Sequence, residues 1–330
     1  MPGTGVVSLD AELCWGFHDQ VTMPADRTAA PRASWRYLIA LFEKHDIPVT
    51  WAVVGHPCLD GCDGTHTNHP CEEAWFSRDP RGVVTGASRW FAPRLITSIR
   101  DSAVDHEIGL HAFSHVEFGA ETTTQAIADA ELQQGVKAAG RLDITPSSFV
   151  FPRNNVGHRD LLSAHGFTCY RGPRPDRWYD TTAVPAVQTL GKGLTYAIGS
   201  SPPIAFPTVN DAGLVNVPAS LFLFSFGGIP QRVAEHIGRD PIVRQVEAGL
   251  NDLRSQPDGI LHLWLHPNNI TTRRDRRRMA TIATLIADYR DQFGITAATM
   301  GAVADRVRDG SIDAIAGATT IDEDDHSTRR

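Results

Sequence analysis

No run of about 18 apolar residues occurs anywhere in the chain, so nothing in it reads as a membrane-spanning helix. Its start, MPGTGVVSLD, has no basic segment leading into an apolar one, and the expectation is a cytoplasmic protein. Cysteine is scarce and odd in number, five in 330 residues, which argues against a disulfide framework and for reduced thiols. Positive charge forms no stripe. The formal net charge is -7, and the one basic cluster, TTRRDRRRM, reads as one face or end of a helix, so nucleic acid is not an expected partner. Neither an internal repeat nor a Gly/Ser-rich linker divides the chain. The reading is one domain over residues 1–310, followed by a polar, acidic tail without periodicity over 311–330 that reads as disordered. Nothing in the sequence fixes the oligomeric state.

What is present is an alternation of strand and helix patterns. Apolar residues make up 42% and charged residues 21%, the composition of an ordinary globular protein. Seven β-rich runs stand out: GVVSLD, PVTWAVVG, EIGLHA, SSFVFP, FTCYR, LVNVP and GILHLWLH. Helical spacing falls between most of them, in ASWRYLIALFEKH, where Trp35, Leu38, Leu41 and Phe42 share a face, in TTTQAIADAELQQGVKAAG behind threonine caps, and in RRMATIATLIADYRDQF. Such alternation predicts parallel strands joined by helical crossovers. Long connections after the second and fifth strands point to a distorted (β/α) barrel of about seven parallel strands rather than a regular eightfold one.

Three cysteines, Cys58, Cys62 and Cys71, fall beside His56, His66 and His69 in HPCLDGCDGTHTNHPCEEAW. These residue types bind zinc, but their spacing matches no standard finger. A polar loop with free thiols is the preferred reading, and a structural zinc the alternative.

His111 and His115 stand four apart in EIGLHAFSH, and His262 and His266 repeat the spacing in GILHLWLHPNN. About 0.6 such pairs would arise by chance, so the spacing alone proves little. Position says more, because both pairs lie at or after the end of a strand-like run. In barrel-like α/β folds, strand ends open onto one face, where distant parts of the chain converge. Asp10 and Glu12 end the first run, and a two-residue spacing turns both carboxylates to the same side. Two imidazoles and a carboxylate with open positions suit a catalytic Zn²⁺ or a similar divalent ion.

In order, SLDAEL, IPVTWAVVGH, HEIGLHAFSH, FVFPRNN, HGFTCYR and LHLWLHP resemble the successive motifs of the polysaccharide deacetylase family, carbohydrate esterase family 4, with its NodB-like homology domain. The resemblance covers about residues 5–270 and is most specific in HEIGLHAFSH. It implies a distorted barrel and metal-assisted removal of an acyl group from an amide or ester. On this resemblance His111 and His115 are metal ligands, Asp10 the catalytic base and His266 the general acid. Ala11 stands where the family's second aspartate, the third ligand, would be. Glu12 is the candidate replacement, with two other arrangements open: Asp10 as ligand and Glu12 as base, or a metal held weakly or not at all. Arg153 stands near the place of the arginine that orients the base, although the family's proline pair and tyrosine are missing. Asn154, Trp178 and Trp264 are candidate substrate-binding residues, and Asp176 a candidate beside Trp178 in RPDRWYD. His262 reads first as a satisfied core histidine.

The expected reaction is hydrolysis by metal-bound water. Asp10 takes a proton, His266 protonates the leaving nitrogen, and a backbone N–H near Asn154 or Asn155 assists the oxyanion. The expected substrate is an N-acylated sugar or glycan precursor, acetylated or formylated. Phe222, Phe224 and Phe226 could line an acyl or lipid groove, although such a stripe is more often core. Two further readings are an allantoinase-like, metal-independent amidohydrolase, and an inactive carbohydrate-binding protein of the same fold, for which Ala11 would mark the loss.

Overall fold

The computed structural model describes residues 2–83, 88–176, 191, 200–225 and 240–316. The strands among them are β1 (Thr4–Ala11), β2 (Thr50–Val53), β3 (Gly61–Cys62), β4 (Gly82–Val83), β5 (Glu107–Leu110), β6 (Ser148–Val150), β7 (Cys169–Arg171), β8 (Thr208–Val209), β9 (Val215–Asn216), β10 (Leu221–Phe222), β11 (Ile260–Leu265), β12 (Thr296–Ala298) and β13 (Ile315–Ala316). All but β3 and β4 belong to one sheet, ordered β10-β11-β1-β2-β5-β6-β7-β9-β8-β13, with β12 paired to β1. From β10 to β9 every pairing is parallel, and only β8 against β9 is antiparallel. The sheet curls into a half-barrel, a distorted (β/α) barrel with somewhat more than seven strands. All seven runs read from the sequence are strands; the additional ones are two or three residues long, too short for a periodicity to register.

β1 lies at the centre, between β11 and β2, and seven of its eight residues are buried. A strand covered on both faces shows no polar alternation, which explains the near-continuous apolar run. Helices cover the outer side. Pro31–His45 begins with proline in its first turn, buries Trp35, Leu38, Leu41 and Phe42, and stops at Asp46 in the left-handed conformation (φ 52°). Gln125–Gly140 is capped by the Thr124 hydroxyl, which accepts from Ile127 N–H at 3.3 Å. Arg273–Phe293 starts with a reciprocal Thr272–Asp275 capping box and ends at Gly294 (φ 74°). The basic cluster TTRRDRRRM is the start of this helix, as the sequence suggested.

Because the strands run the same way, the C-terminal ends of β1, β2, β5, β6, β7 and β11 share one rim. The register sets Asp10 against Ala52, Leu9 against Leu265, and Val53 against Leu110. The candidate site residues hang from that rim, and a second cluster comes from the crossover between β2 and β5.

Candidate active site

Asp10 is the penultimate residue of β1 and Glu12 follows its end, while His111 and His266 directly follow β5 and β11. The chain reaches His115 through a turn with Ala112 (φ 60°) and His115 (φ 69°) in the left-handed region. Backbone bonds hold that turn: Gly55 N–H to Ala112 O at 2.8 Å and His56 N–H to Phe113 O at 2.9 Å. The buried Glu131, from the helix behind, accepts from Phe113 N–H at 2.9 Å and Ser114 N–H at 2.8 Å, and also from the Ser114 hydroxyl. His69 completes its shell, with Nε2 3.0 Å from Oε1. Burial alone would raise the Glu131 pKa; the hydrogen bonds from His69 and Ser114 hold it below the ordinary value.

Glu12 Oε1 is the hub of the rim. It lies 3.3 Å from His111 Nε2, 3.1 Å from His115 Nε2 and 3.3 Å from His266 Nε2. Burial works against its charge, but the three imidazoles overcome it and its pKa lies well below the usual range. Gly16 makes room for it, since a Cβ at that position would collide with Glu12 Oε2. Ala11 points the other way, fully buried in the main apolar cluster.

The second carboxylate is held differently. Arg171, fully buried at the end of β7, grips Asp10 with two parallel bonds, 2.6 Å to Oδ1 and 2.7 Å to Oδ2. The same guanidinium donates to Ser8 Oγ at 3.0 Å and Asn154 Oδ1 at 3.0 Å, and sits 4.4 Å above the Trp264 ring. Burial pushes the Asp10 pKa up; Arg171, with His266 and His111, brings it below its ordinary value. His266 Nε2 lies 3.6 Å from Asp10 Oδ2, and its side chain is 25% exposed. Burial would lower its pKa, but Glu12 and Asp10 win and raise it.

The donors suit a divalent metal. One ligand atom each from Glu12, His111 and His115 lies within 4.8 Å of the others. His111 supplies the chemical test of fit. Its Nδ1–H donates to Val150 O at 2.7 Å, so in the neutral ring Nε2 is a lone pair facing the Glu12 oxygen at 3.3 Å. A divalent cation between those two atoms would satisfy both, and a backbone carbonyl on the far nitrogen is how metal-ligating histidines are usually oriented. The residues fit the group.

Two expectations are corrected. Arg153 does not orient Asp10: it turns outward, with Nη2 2.6 Å from Asp19 Oδ2 and Nη1 2.6 Å from Glu117 Oε1. Arg171 does that work, and it could have been found in FTCYR as a charged residue closing an apolar strand. Nor are the backbone N–H groups of Asn154 and Asn155 free for an oxyanion, because they donate to Phe151 O at 2.9 Å and Pro152 O at 3.0 Å. The Asn154 side chain serves Arg171 instead. Trp264 lies at the site, stacked on Phe222 (4.3 Å between centroids) and 5.6 Å from the His266 ring. His262 is a satisfied core residue: Nδ1–H to Val217 O at 3.1 Å, Nε2 with Ser8 Oγ at 2.8 Å. Asp176 is exposed. Trp178, Phe226 and residues 317–330 of the acidic tail lie outside the described residues.

No family model matches the chain, and no curated protein matches its sequence. Solved structures do. A Mycobacterium smegmatis protein named as a polysaccharide deacetylase superposes over 98% of this chain and 96% of its own, with a TM-score of 0.60 at 17% identity. The chain has the NodB-like polysaccharide deacetylase fold. A Pseudomonas aeruginosa PAO1 protein named likewise covers 93% of this chain and 90% of its own (TM-score 0.55, 12% identity), and Puue allantoinase gives the same coverage (TM-score 0.56, 12% identity). At these identities the likeness is one of fold, and the chemistry must be argued from the rim itself.

Proposed function

We propose that this protein is a metal-dependent hydrolase that removes an N-acyl group, acetyl or formyl, from a carbohydrate or sugar precursor. The observation that carries the reading is the convergence of Glu12, His111 and His115 on one point, with Asp10 and the partly exposed His266 beside it. His111, His115 and Glu12 would hold the ion, and zinc suits two imidazoles and a carboxylate. When bound, such an ion polarises a carbonyl and makes a water acidic near neutral pH.

The remaining work falls to the chain. Arg171 fixes both Asp10 oxygens and keeps the carboxylate ionised, so it can accept a proton throughout the neutral range. His266, with its raised pKa, retains a proton to give to the departing amine. Trp264 and Phe222 form an apolar wall beside His266, against which a sugar face or acyl methyl would pack. We place the substrate among precursors of a surface glycan.

The test is release of acetate or formate from N-acylated sugars and sugar nucleotides by the purified protein, before and after chelation. Full rate in metal-free protein rejects the metal-dependent reading. It would favour the second one, an allantoinase-like amidohydrolase working without metal, for which the Puue allantoinase fold is the supporting observation. Glycan binding without turnover would favour the inactive binding protein.

A further inference from the structure

Away from the rim, the crossover between β2 and β5 gathers a second set of donors: His56, Cys62, His66 and Asp79 each place one ligand atom within 4.8 Å of the other three. We propose that these four residues form a second, structural zinc site, distinct from the rim. The inference does not depend on the hydrolase reading.

Three of the separations lie close to those within a tetrahedral shell. At zinc bond lengths of about 2.0–2.3 Å, neighbouring ligand atoms stand about 3.3–3.7 Å apart. Here His56 Nε2 and His66 Nε2 lie 3.1 and 3.0 Å from Asp79 Oδ2, and Cys62 Sγ lies 3.4 Å from His66 Nε2. A dication would draw these atoms apart by a few tenths of an ångström. Charge also closes: a thiolate and a carboxylate neutralise Zn²⁺, and two imidazoles fill the shell. All four positions come from the protein, which marks a structural rather than a catalytic site.

The surroundings orient the ligands. Cys62 Sγ accepts from Gly64 N–H at 3.3 Å, a bond that favours thiolate. Gly64 sits at φ 77°, and a Cβ there would collide with the Arg81 side chain, so the turn requires glycine. Asp79 Oδ1 accepts from Arg81 N–H at 3.2 Å, which leaves Oδ2 for the cluster. Packing fixes the rings: His66 stacks on Phe76 at 3.8 Å and 17°, and His56 lies 4.4 Å from Trp15 and 5.2 Å from Phe91. His56 and the Asp79 side chain are fully buried, so the carboxylate has its negative charge in a dry place with two histidines as its ionic partners.

The segment needs such a clamp. Among the described residues, the crossover's longest helix is the eight-residue Pro93–Arg100, and its only hairpin is β3 with β4, two residues each. A long connection with so little regular structure gains most from a cross-link, and this one would tie residue 56 to residue 79.

Cobalt distinguishes the two sites, because only the crossover contains sulfur. Stripped protein reloaded with Co²⁺ should show a thiolate-to-cobalt charge-transfer band and bind two equivalents per chain. The His111→Ala/His115→Ala variant should keep the band and lose one equivalent; Cys62→Ser should lose the band and one equivalent. A cobalt-loaded wild type without the band overturns the proposal. So does a band that survives Cys62→Ser. Should Cys62→Ser not fold, the wild-type spectrum and the double histidine variant decide the matter. Loss of the rim equivalent alone would sink the hydrolase reading and leave this one standing.

Discussion

The barrel rim and the β2–β5 crossover both bring histidines onto a single carboxylate oxygen, Glu12 Oε1 in one and Asp79 Oδ2 in the other, yet they are built in opposite ways. Rim residues hang from the ends of strands paired on both sides, and one flank stays open at the 25% exposed His266. Crossover residues sit on a short 3-10 helix, a two-residue strand and irregular loop, packed against aromatic rings. A rigid frame can leave a coordination position open, because it does not need the ligand to hold its shape. A loop with little core of its own needs every position filled. The same side-chain chemistry should therefore serve reaction at the rim and cohesion in the crossover.

The sharpest way to break this contrast is at the rim. Asp10→Asn and His266→Gln should each lower kcat about 10²- to 10⁴-fold, as expected for loss of a positioned base or acid. The sign of the pH effect follows from the raised His266 pKa. The proton is held below that pKa and lost as pH rises through it, so wild-type kcat should fall on the alkaline side and His266→Gln should lack that limb. Assays of N-acyl sugar hydrolysis across pH decide it, and an unchanged alkaline limb would remove His266 from its role.

Next in size is the pair of arginines. Arg171→Met leaves Asp10 buried, at 2% exposure, without its guanidinium, and should destabilise the fold by about 3–5 kcal/mol. Arg153→Met breaks ion pairs to partners that reach solvent, so it should cost about 1 kcal/mol or less. Urea denaturation of both variants measures the difference, and equal losses would contradict the assignment of Arg171 as the support of Asp10.

These two residues also show what the sequence could and could not convey. Asp10, Glu12, His111 and His266 were legible because each ends or follows a strand whose apolar run is unbroken, and parallel strands share a rim. Arg171 obeys the same rule at the end of FTCYR, but Arg153 stood nearer the expected motif position and drew the assignment. Asp79 carried no such mark. It lies in an irregular stretch 13 residues beyond His66, and only the fold of the crossover brings them to 3.0 Å. Cys58 and Cys71, counted with Cys62 in the sequence, take no part in the cluster, because spacing along a loop says little about which side chains meet. Glu131 was hidden for another reason: on a helix it reads as a surface residue, and its partners are backbone N–H groups that no sequence pattern shows.

A smaller effect separates a satisfied core histidine from a functional one. Burial, then the charge of Arg171, pushes the His262 pKa down to about 3 from an ordinary 6.5. Between those values the unfolded chain binds a proton that the folded chain refuses. The stability secured by the neutral ring is complete above about 6.5 and drains as pH falls, by about 1.4 kcal/mol per pH unit. His262→Gln should flatten that slope between pH 6.5 and 4.5 in denaturant midpoints. An unaltered slope would mean the ring is protonated in the fold, which its hydrogen bond from Ser8 does not allow.

The smallest predicted effect asks whether the two regions are energetically joined. Trp75, on the crossover, donates its indole N–H to Ser114 Oγ at 2.9 Å, and Ser114 immediately precedes His115. Ser114 in turn donates to Glu131, which also receives His69 from the crossover. A clamp in the crossover would therefore steady the turn that aims His115 across the rim. The Trp75–Ser114 link is an ordinary hydrogen bond, worth about 0.5–1.5 kcal/mol. A double-mutant cycle of Trp75→Phe and Ser114→Ala should give a coupling energy in that range in thermal or urea unfolding. Repeated in protein stripped of metal, the cycle should return a smaller value, because a loosened crossover no longer holds the indole against the hydroxyl. Full coupling in the stripped protein would mean that the crossover keeps its shape without an ion, and the two regions would then differ less than their geometry suggests.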